Sequence, residues 1–308
     1  MKNSTTIATI SGSMETFDGA SEGRTLDSAD FIALVAAVGG AVGSVEGAAH
    51  EIKTLILTDE RTGGTSLLYI INSFASKKYS GLDDIHSLFE NIKKGQFGWI
   101  ENIINDNIKN YLLSIENVED IDYFELLTIL FDNGINTYKL SCSSITNVQY
   151  DNLLYKLKNN NDNITIINLV RENEIDRLCS FAYSLQYYKD YNSSEGFNLI
   201  FKKTSVNISD DIIIYILNNH KTHIKRKTDL KNINLKNMVN VSYEHFYTNN
   251  EYVKNIFNVL NIDINKLLNK SLFIKTYFKN ITNNENKIIL NKQYLLEQLN
   301  IVSSHINI

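Results

Sequence analysis

Proline is absent from all 308 residues, so Gly and Asn must mark the loops and helix ends. Cysteine is nearly absent. Cys142 and Cys179 have no motif spacing, which excludes a disulfide framework and points to a reducing, cytoplasmic compartment. A dominant charge is also lacking. The net charge of −5 excludes a basic field strong enough to hold the whole chain on nucleic acid or acidic lipid. No stretch is apolar enough to span a bilayer, and no basic start leads at once into an apolar run, so neither a membrane span nor a secretion signal is expected. Of six histidines only His220 and His223 lie close together, with no cysteine or carboxylate following at ligand spacing. They read as a polar surface pair, and no metal is expected.

What is present is enough to build a core: 43% of residues are hydrophobic and 21% charged, as a packed domain requires. The charge is uneven. Residues 1–50 hold two basic and six acidic side chains, and the remainder holds 28 basic and 29 acidic, so an anion site in the body must be built locally. Residues 1–50 also hold seven of the fourteen glycines and are rich in Ser and Ala. They read as a flexible N-terminal segment with one short helix at Asp27 to Val42, serving as an accessory tail or as a docking or targeting helix. Residues 51–308 form the body.

The body opens with Ile52–Thr58, apolar and β-branched, which reads as a buried strand. A Gly turn follows, then helical periodicity through Leu67, Leu68, Ile71 and Phe74. Residues 84–133 are mostly helical. Thr137–Ser141 is a short strand, Asp151–Lys158 a helix, and Ile164–Val170 the clearest second core strand, with a helix from Glu174 to about Tyr188. Residues 192–210 read as loop, Ile212–Asn219 as helix or strand, and Lys221–Lys231 as a solvated loop or a guide for an anionic acceptor. Met238–Val241 is a third strand candidate before helices at about 249–260 and 292–300. Strands alternating with helices predict an α/β fold: a central, mostly parallel sheet with helices on both faces.

In such sheets ligands bind beyond the carboxyl ends of strands. Two strand ends carry suitable groups. At Arg61-Thr62-Gly63-Gly64-Thr65-Ser66, paired glycines let backbone approach an anion closely, the next helix points N–H groups at it, and Arg61 adds a planar fork of donors. The alternative is an ordinary strand-to-helix turn. The Lys of the nucleotide triphosphatase loop G-x-x-x-x-G-K-[ST] is missing, which argues against a P-loop kinase variant. At Arg171 to Ser180, an Arg ending a strand and a Ser nine residues on can converge on one phosphate, with Arg177 on a similar face. The alternative there is a solvated helix paired by Glu and Arg.

Leu57 to Leu68 resembles the 5′-phosphosulfate loop of sulfotransferases, commonly R-S-G-S-T-x-L or K-S-G-T-T-W-L. Leu169 to Ser180 resembles their 3′-phosphate motif. Tyr138-Lys139-Leu140 is similar to the F-K-L of bacterial and carbohydrate-type members, and Val241-Ser242-Tyr243-Glu244-His245-Phe246 to their V-x-Y-E-D-L. Leu260-Asn261-Ile262 stands where many have L-G-I. These signatures follow family order across about residues 52–265. Departures are Glu60 where Pro is frequent, Gly64 where Ser is frequent, and no clear Arg-Lys-Gly loop after Leu260.

The resemblance implies a P-loop-like three-layer fold. It also implies transfer of a sulfuryl group from 3′-phosphoadenosine 5′-phosphosulfate to a small-molecule or glycan acceptor, with no metal and no nucleic-acid partner. It places Arg61, Thr62, Gly63, Gly64, Thr65 and Ser66 on the 5′-phosphosulfate, and Arg171 and Ser180 on the 3′-phosphate. The base would come from Asp83, Asp84, His86 or Glu90, with Asp84 favoured by alignment and His86 next; the alternative use of these acids is helix capping. A non-catalytic nucleotide-binding adaptor on the same fold is the rival from another class.

Overall fold

The computed structural model describes residues 53–65, 67–68, 71, 81–83, 85–160, 163–191, 204–260 and 287–305. The N-terminal segment, its expected helix, Ser66 and Asp84 lie outside the described residues.

Five strands form the central sheet: β1 (Lys53–Thr58), β2 (Gly81–Leu82), β3 (Thr137–Ser141), β4 (Ile164–Val170) and, after a separate short strand β5 (Thr204–Val206), β6 (Met238–Ser242). Their order is β2-β3-β1-β4-β6, and every pairing is parallel. β5 pairs in parallel with β7 (Lys287–Ile289) in a second, two-stranded sheet. The α/β expectation holds, and β1 and β4 are neighbours as the two candidate loops require.

The helices are α1 (Phe89–Lys93), α2 (Asp106–Ser114), α3 (Tyr123–Asp132), α4 (Asn147–Asn160), α5 (Glu174–Tyr191), α6 (Asp210–Asn232), α7 (Tyr243–Thr248), α8 (Asn250–Val259) and α9 (Lys292–His305). Short helical stretches also follow β1, at 64–65, 67–68 and 71.

Strand side chains alternate between faces, and here both faces are buried. Leu55, Leu57, Tyr138, Leu140 and Ile166 join the core under α1 to α4. Ile56, Ile167, Leu169 and Val241 join the opposite core with Leu67, Leu68, Phe246 and Phe257. A third cluster ties α5, α6 and α9 together through Leu178, Ala182, Ile216 and Leu295. This three-layer packing fixes the carboxyl ends of β1 and β4 side by side. The chain passes from β1 toward β2 and β3 on one side, and from β4 toward β6 on the other. The switch point, where such sheets open a crevice, is therefore at β1 and β4.

The Lys-rich stretch from Lys221 to Lys231 is not a loop. It is the second half of α6, a helix of 23 residues. His220 and His223 are not a surface pair either: they are 5% and 6% exposed, with rings stacked at 6.1 Å. Their helical spacing with Arg226 and Leu230 builds a largely polar buried stripe.

Candidate functional site

The turn after β1 is tightly specified. Arg61 has φ of +62° and Gly63 has +81°, so a non-glycine residue is held in the left-handed region where backbone strain marks functional turns. The Leu67 N–H donates to the Gly63 carbonyl at 3.0 Å, which makes Gly63 the last residue before the helix. Thr62 is buried, and its hydroxyl turns inward: it donates to the Asp59 carbonyl at 2.7 Å and lies against the Thr58 hydroxyl. Thr62 can therefore serve a ligand through its backbone only. A Cβ on Gly64 would sit 2.6 Å from Thr58 Cγ2 and 3.2 Å from Lys139 Cε. That close approach leaves no room for a side chain at this position.

Glu60 points away from the crevice. It accepts a hydrogen bond from Ser143 Oγ, beyond β3, and burial raises its pKa.

Arg61 reaches across to the second motif. Its Nε–H donates to Ser180 Oγ at 3.3 Å, and Arg171 Nη1 donates to the Arg61 carbonyl at 3.2 Å. Arg61, Arg171 and Ser180, 119 residues apart at the extremes, thus form one cluster at the switch point. The Arg171 guanidinium lies 4.9 Å from the Tyr243 ring centroid, and its Nε is 3.9 Å from Glu244 Oε1. At that range the buried Nε has no hydrogen-bond acceptor. Glu244 also accepts from the Glu172 and Asn173 N–H groups at 3.0 and 3.1 Å, at the start of α5. Burial would raise the Glu244 pKa, but these backbone bonds, and then Arg171, lower it. Burial and the neighbouring Arg171 charge depress the pKa of Arg61. The cluster thus holds two like charges beside the Glu244 carboxylate, with the Arg171 Nε donor unused.

Arg177 does not face this cluster. It is 3% exposed and bonds Glu174 through Nε at 2.8 Å. On the other side of the loop, Thr65 Oγ1 donates to Asp83 Oδ2 at 2.8 Å, and Lys139 Nζ donates to Asp83 Oδ1 at 2.6 Å. Among the described acids of the base segment, Asp83 is thereby placed against the loop. His86 sits on a single 3-10 turn, where its Nδ1 is 3.3 Å from Tyr123 Oη on α3.

The arrangement gathers two guanidinium groups on one side of the loop after β1 and an ammonium paired with Asp83 on the other. That chemistry suits a phosphate or sulfate ester. Among the described residues no group of three or more His, Cys, Asp or Glu is arranged to hold a metal ion. No helix of the described residues is long and apolar enough to cross a membrane. The sequence reading missed Tyr243 and Glu244 as the clamp on Arg171, and Asp83 with Lys139 as the wall beside Thr65. Strand register is the signal that finds both. Val170 pairs with Ser242, which brings 171 beside 243, and Leu82 pairs with Tyr138, which brings 83 beside 139. Comparison with family models and with curated proteins finds no match to this chain.

Proposed function

We propose that the chain is a cytoplasmic sulfotransferase that takes 3′-phosphoadenosine 5′-phosphosulfate as donor. The observation that carries this reading is the pair of guanidinium groups, Arg61 and Arg171, gathered at the switch point, with Ser180 hydrogen-bonded to Arg61. In this reading Arg61, Thr65, Ser66 and the backbone of Thr62, Gly63 and Gly64 hold the 5′-phosphosulfate. Arg171 and Ser180 hold the 3′-phosphate. The acceptor oxygen attacks sulfur in line, the bond from sulfur to the bisphosphate breaks, and the acceptor proton passes to a base. Asp84 is the proposed base, with His86 second. In the same reading Lys139, paired with Asp83 beside Thr65, helps to offset charge on the sulfuryl oxygens. Two buried free thiols, Cys142 and Cys179, suit a reducing compartment.

Calorimetry with adenosine 3′,5′-bisphosphate and 5′-AMP tests the reading. Wild type should prefer the bisphosphate, and Arg171→Ala should erase that preference, a loss of about tenfold to a hundredfold for one charged hydrogen-bonding contact. Equal affinity for both nucleotides, or none for either, refutes it. Labelled donor offered with sugars, lipids, phenols and tyrosyl peptides then identifies the acceptor. Binding without any turnover favours the adaptor.

A further inference from the structure

One imidazole joins the two loops from behind. His223, on α6, places Nε2 2.9 Å from Glu174 Oε1, and its Nδ1 makes a close ion contact with Asp59 Oδ2. Asp59 is the first residue after β1 and lies two residues before Arg61. Glu174 opens α5 and lies three residues after Arg171. The imidazole is 6% exposed, and Asp59 only 14% at its side chain, so water cannot readily replace the contact. The Nδ1 contact is off the line of a good hydrogen bond, and the buried Asp59 Oδ1 has no donor.

We propose that His223 is a positioning residue that locks the turn after β1 to the start of α5, and so sets the spacing between the two halves of the anion site. The lock itself is independent of ligand identity; only the choice of nucleotide as probe rests on the sulfotransferase reading.

The surroundings decide whether the imidazole is charged. Glu174 and Arg177 face it from α5, Asp59 from the β1 turn, and His220 and Lys227 from its own helix. Burial disfavours the imidazolium, but the contacts with Asp59 and Glu174 outweigh burial and the repulsion of Arg177, so the His223 pKa is raised. His220 is pushed down to about 4, chiefly by burial, and is neutral beside it. The raised pKa fixes the sign. The lock is complete below the ordinary histidine value of about 6.5 and is lost as pH rises through the higher folded-state value.

Hydrogen exchange and calorimetry on the full chain test this. His223→Gln keeps one donor but cannot hold both carboxylates as a cation; His223→Phe removes every donor. Lys227→Met serves as control, since it removes a cation from Glu174 without touching Asp59. At about pH 6, His223→Gln should speed exchange of segments 59–65 and 171–177 together, by about tenfold, while Lys227→Met leaves segment 59–65 unchanged. The bisphosphate should bind the Gln variant about tenfold more weakly at that pH. The ratio of variant to wild-type Kd should shrink as pH rises above about 6.5 and the imidazole loses its proton, and taking the ratio cancels ionisation of the ligand's own phosphate. Faster exchange in one segment only, in neither, or equally in Lys227→Met, overturns the lock. A wild type that binds no bisphosphate refutes the sulfotransferase reading instead, and the exchange result still decides the role of His223.

Discussion

Adding one methyl group to Gly64 is a sharp test of how the anion loop is built. Gly64 begins the helix after β1 with no positive φ, so helix propensity alone favours alanine by about 1 kcal/mol. Packing opposes it. The new Cβ would meet Thr58 Cγ2 at 2.6 Å, well inside contact distance, and Thr58 is 2% exposed. Thr58 cannot swing its methyl away cheaply, because its hydroxyl donates to the Asp59 carbonyl at 3.3 Å and meets the Thr62 hydroxyl. Overpacking of this kind costs about 1–3 kcal/mol. The clash should therefore win, and Gly64→Ala should destabilise by about 1 kcal/mol net. Thr58→Ser removes the offending methyl and keeps the hydroxyl, at a cost of about 1 kcal/mol for the lost packing. In that background the remaining contacts are 3.2 Å to Lys139 Cε and 3.3 Å to Thr58 Cβ, which a small shift accommodates. Gly64→Ala should then be neutral or stabilising, with a coupling of about 1–2 kcal/mol in the double-mutant cycle. Denaturant unfolding of the four proteins measures it. If Gly64→Ala is as stable as wild type, or if its cost is the same in both backgrounds, the close approach is not what selects glycine here.

The central strands were legible because a parallel sheet buried on both faces needs unbroken apolar and β-branched runs. Thr137–Ser141 and Ile164–Val170 are read with their observed bounds, and Met238–Ser242 is one residue longer than expected. Gly81–Leu82, Thr204–Val206 and Lys287–Ile289 carry no such run and escape notice. The second half of α6 escaped for a different reason. Periodicity is scored on apolar residues, whereas its buried positions include His220, His223 and Arg226, of which His223 bonds Glu174 on α5 and Arg226 bonds the Ile145 carbonyl. In the site, Arg61, the two glycines, Arg171 and Ser180 were legible because each answers a local demand for a turn, a donor fork or a hydroxyl at a strand end. Their supports were not. Tyr243 and Glu244 reach Arg171, and Asp83 reaches Lys139, through strand pairings that no local pattern encodes. The site residues are thus local in sequence, while what holds them is a property of the sheet.

Two further outcomes follow from the cluster. If the proposed sulfotransferase reading holds, Arg61→Ala should lower sulfuryl transfer by about 10²–10³ while donor affinity falls less, since that reading puts its guanidinium where charge develops. Rates with labelled donor check this, and an equal fall in affinity and turnover would place Arg61 in ground-state binding instead. Glu174→Gln should show a stability deficit that depends on pH. Burial alone would raise the Glu174 pKa, but the bond from His223, the Arg177 charge and Lys227 hold it well below the usual carboxylate range. A depressed folded-state pKa contributes stability above the unfolded value of about 4.3 and loses it as pH falls through the folded value. His223 acts with the opposite sign, since its raised pKa withdraws the imidazolium partner at high pH. The gap between wild type and Glu174→Gln should therefore be widest between about pH 5 and about pH 6.5, near 2 kcal/mol for charged hydrogen bonds at a side chain 26% exposed, and narrow on both sides. Carboxylates elsewhere cancel in the difference. Unfolding midpoints across the pH series measure the gap. A gap that stays constant into acid would mean Glu174 is not held ionised by its three cations, and one that stays constant into base would mean His223 is not the partner that titrates.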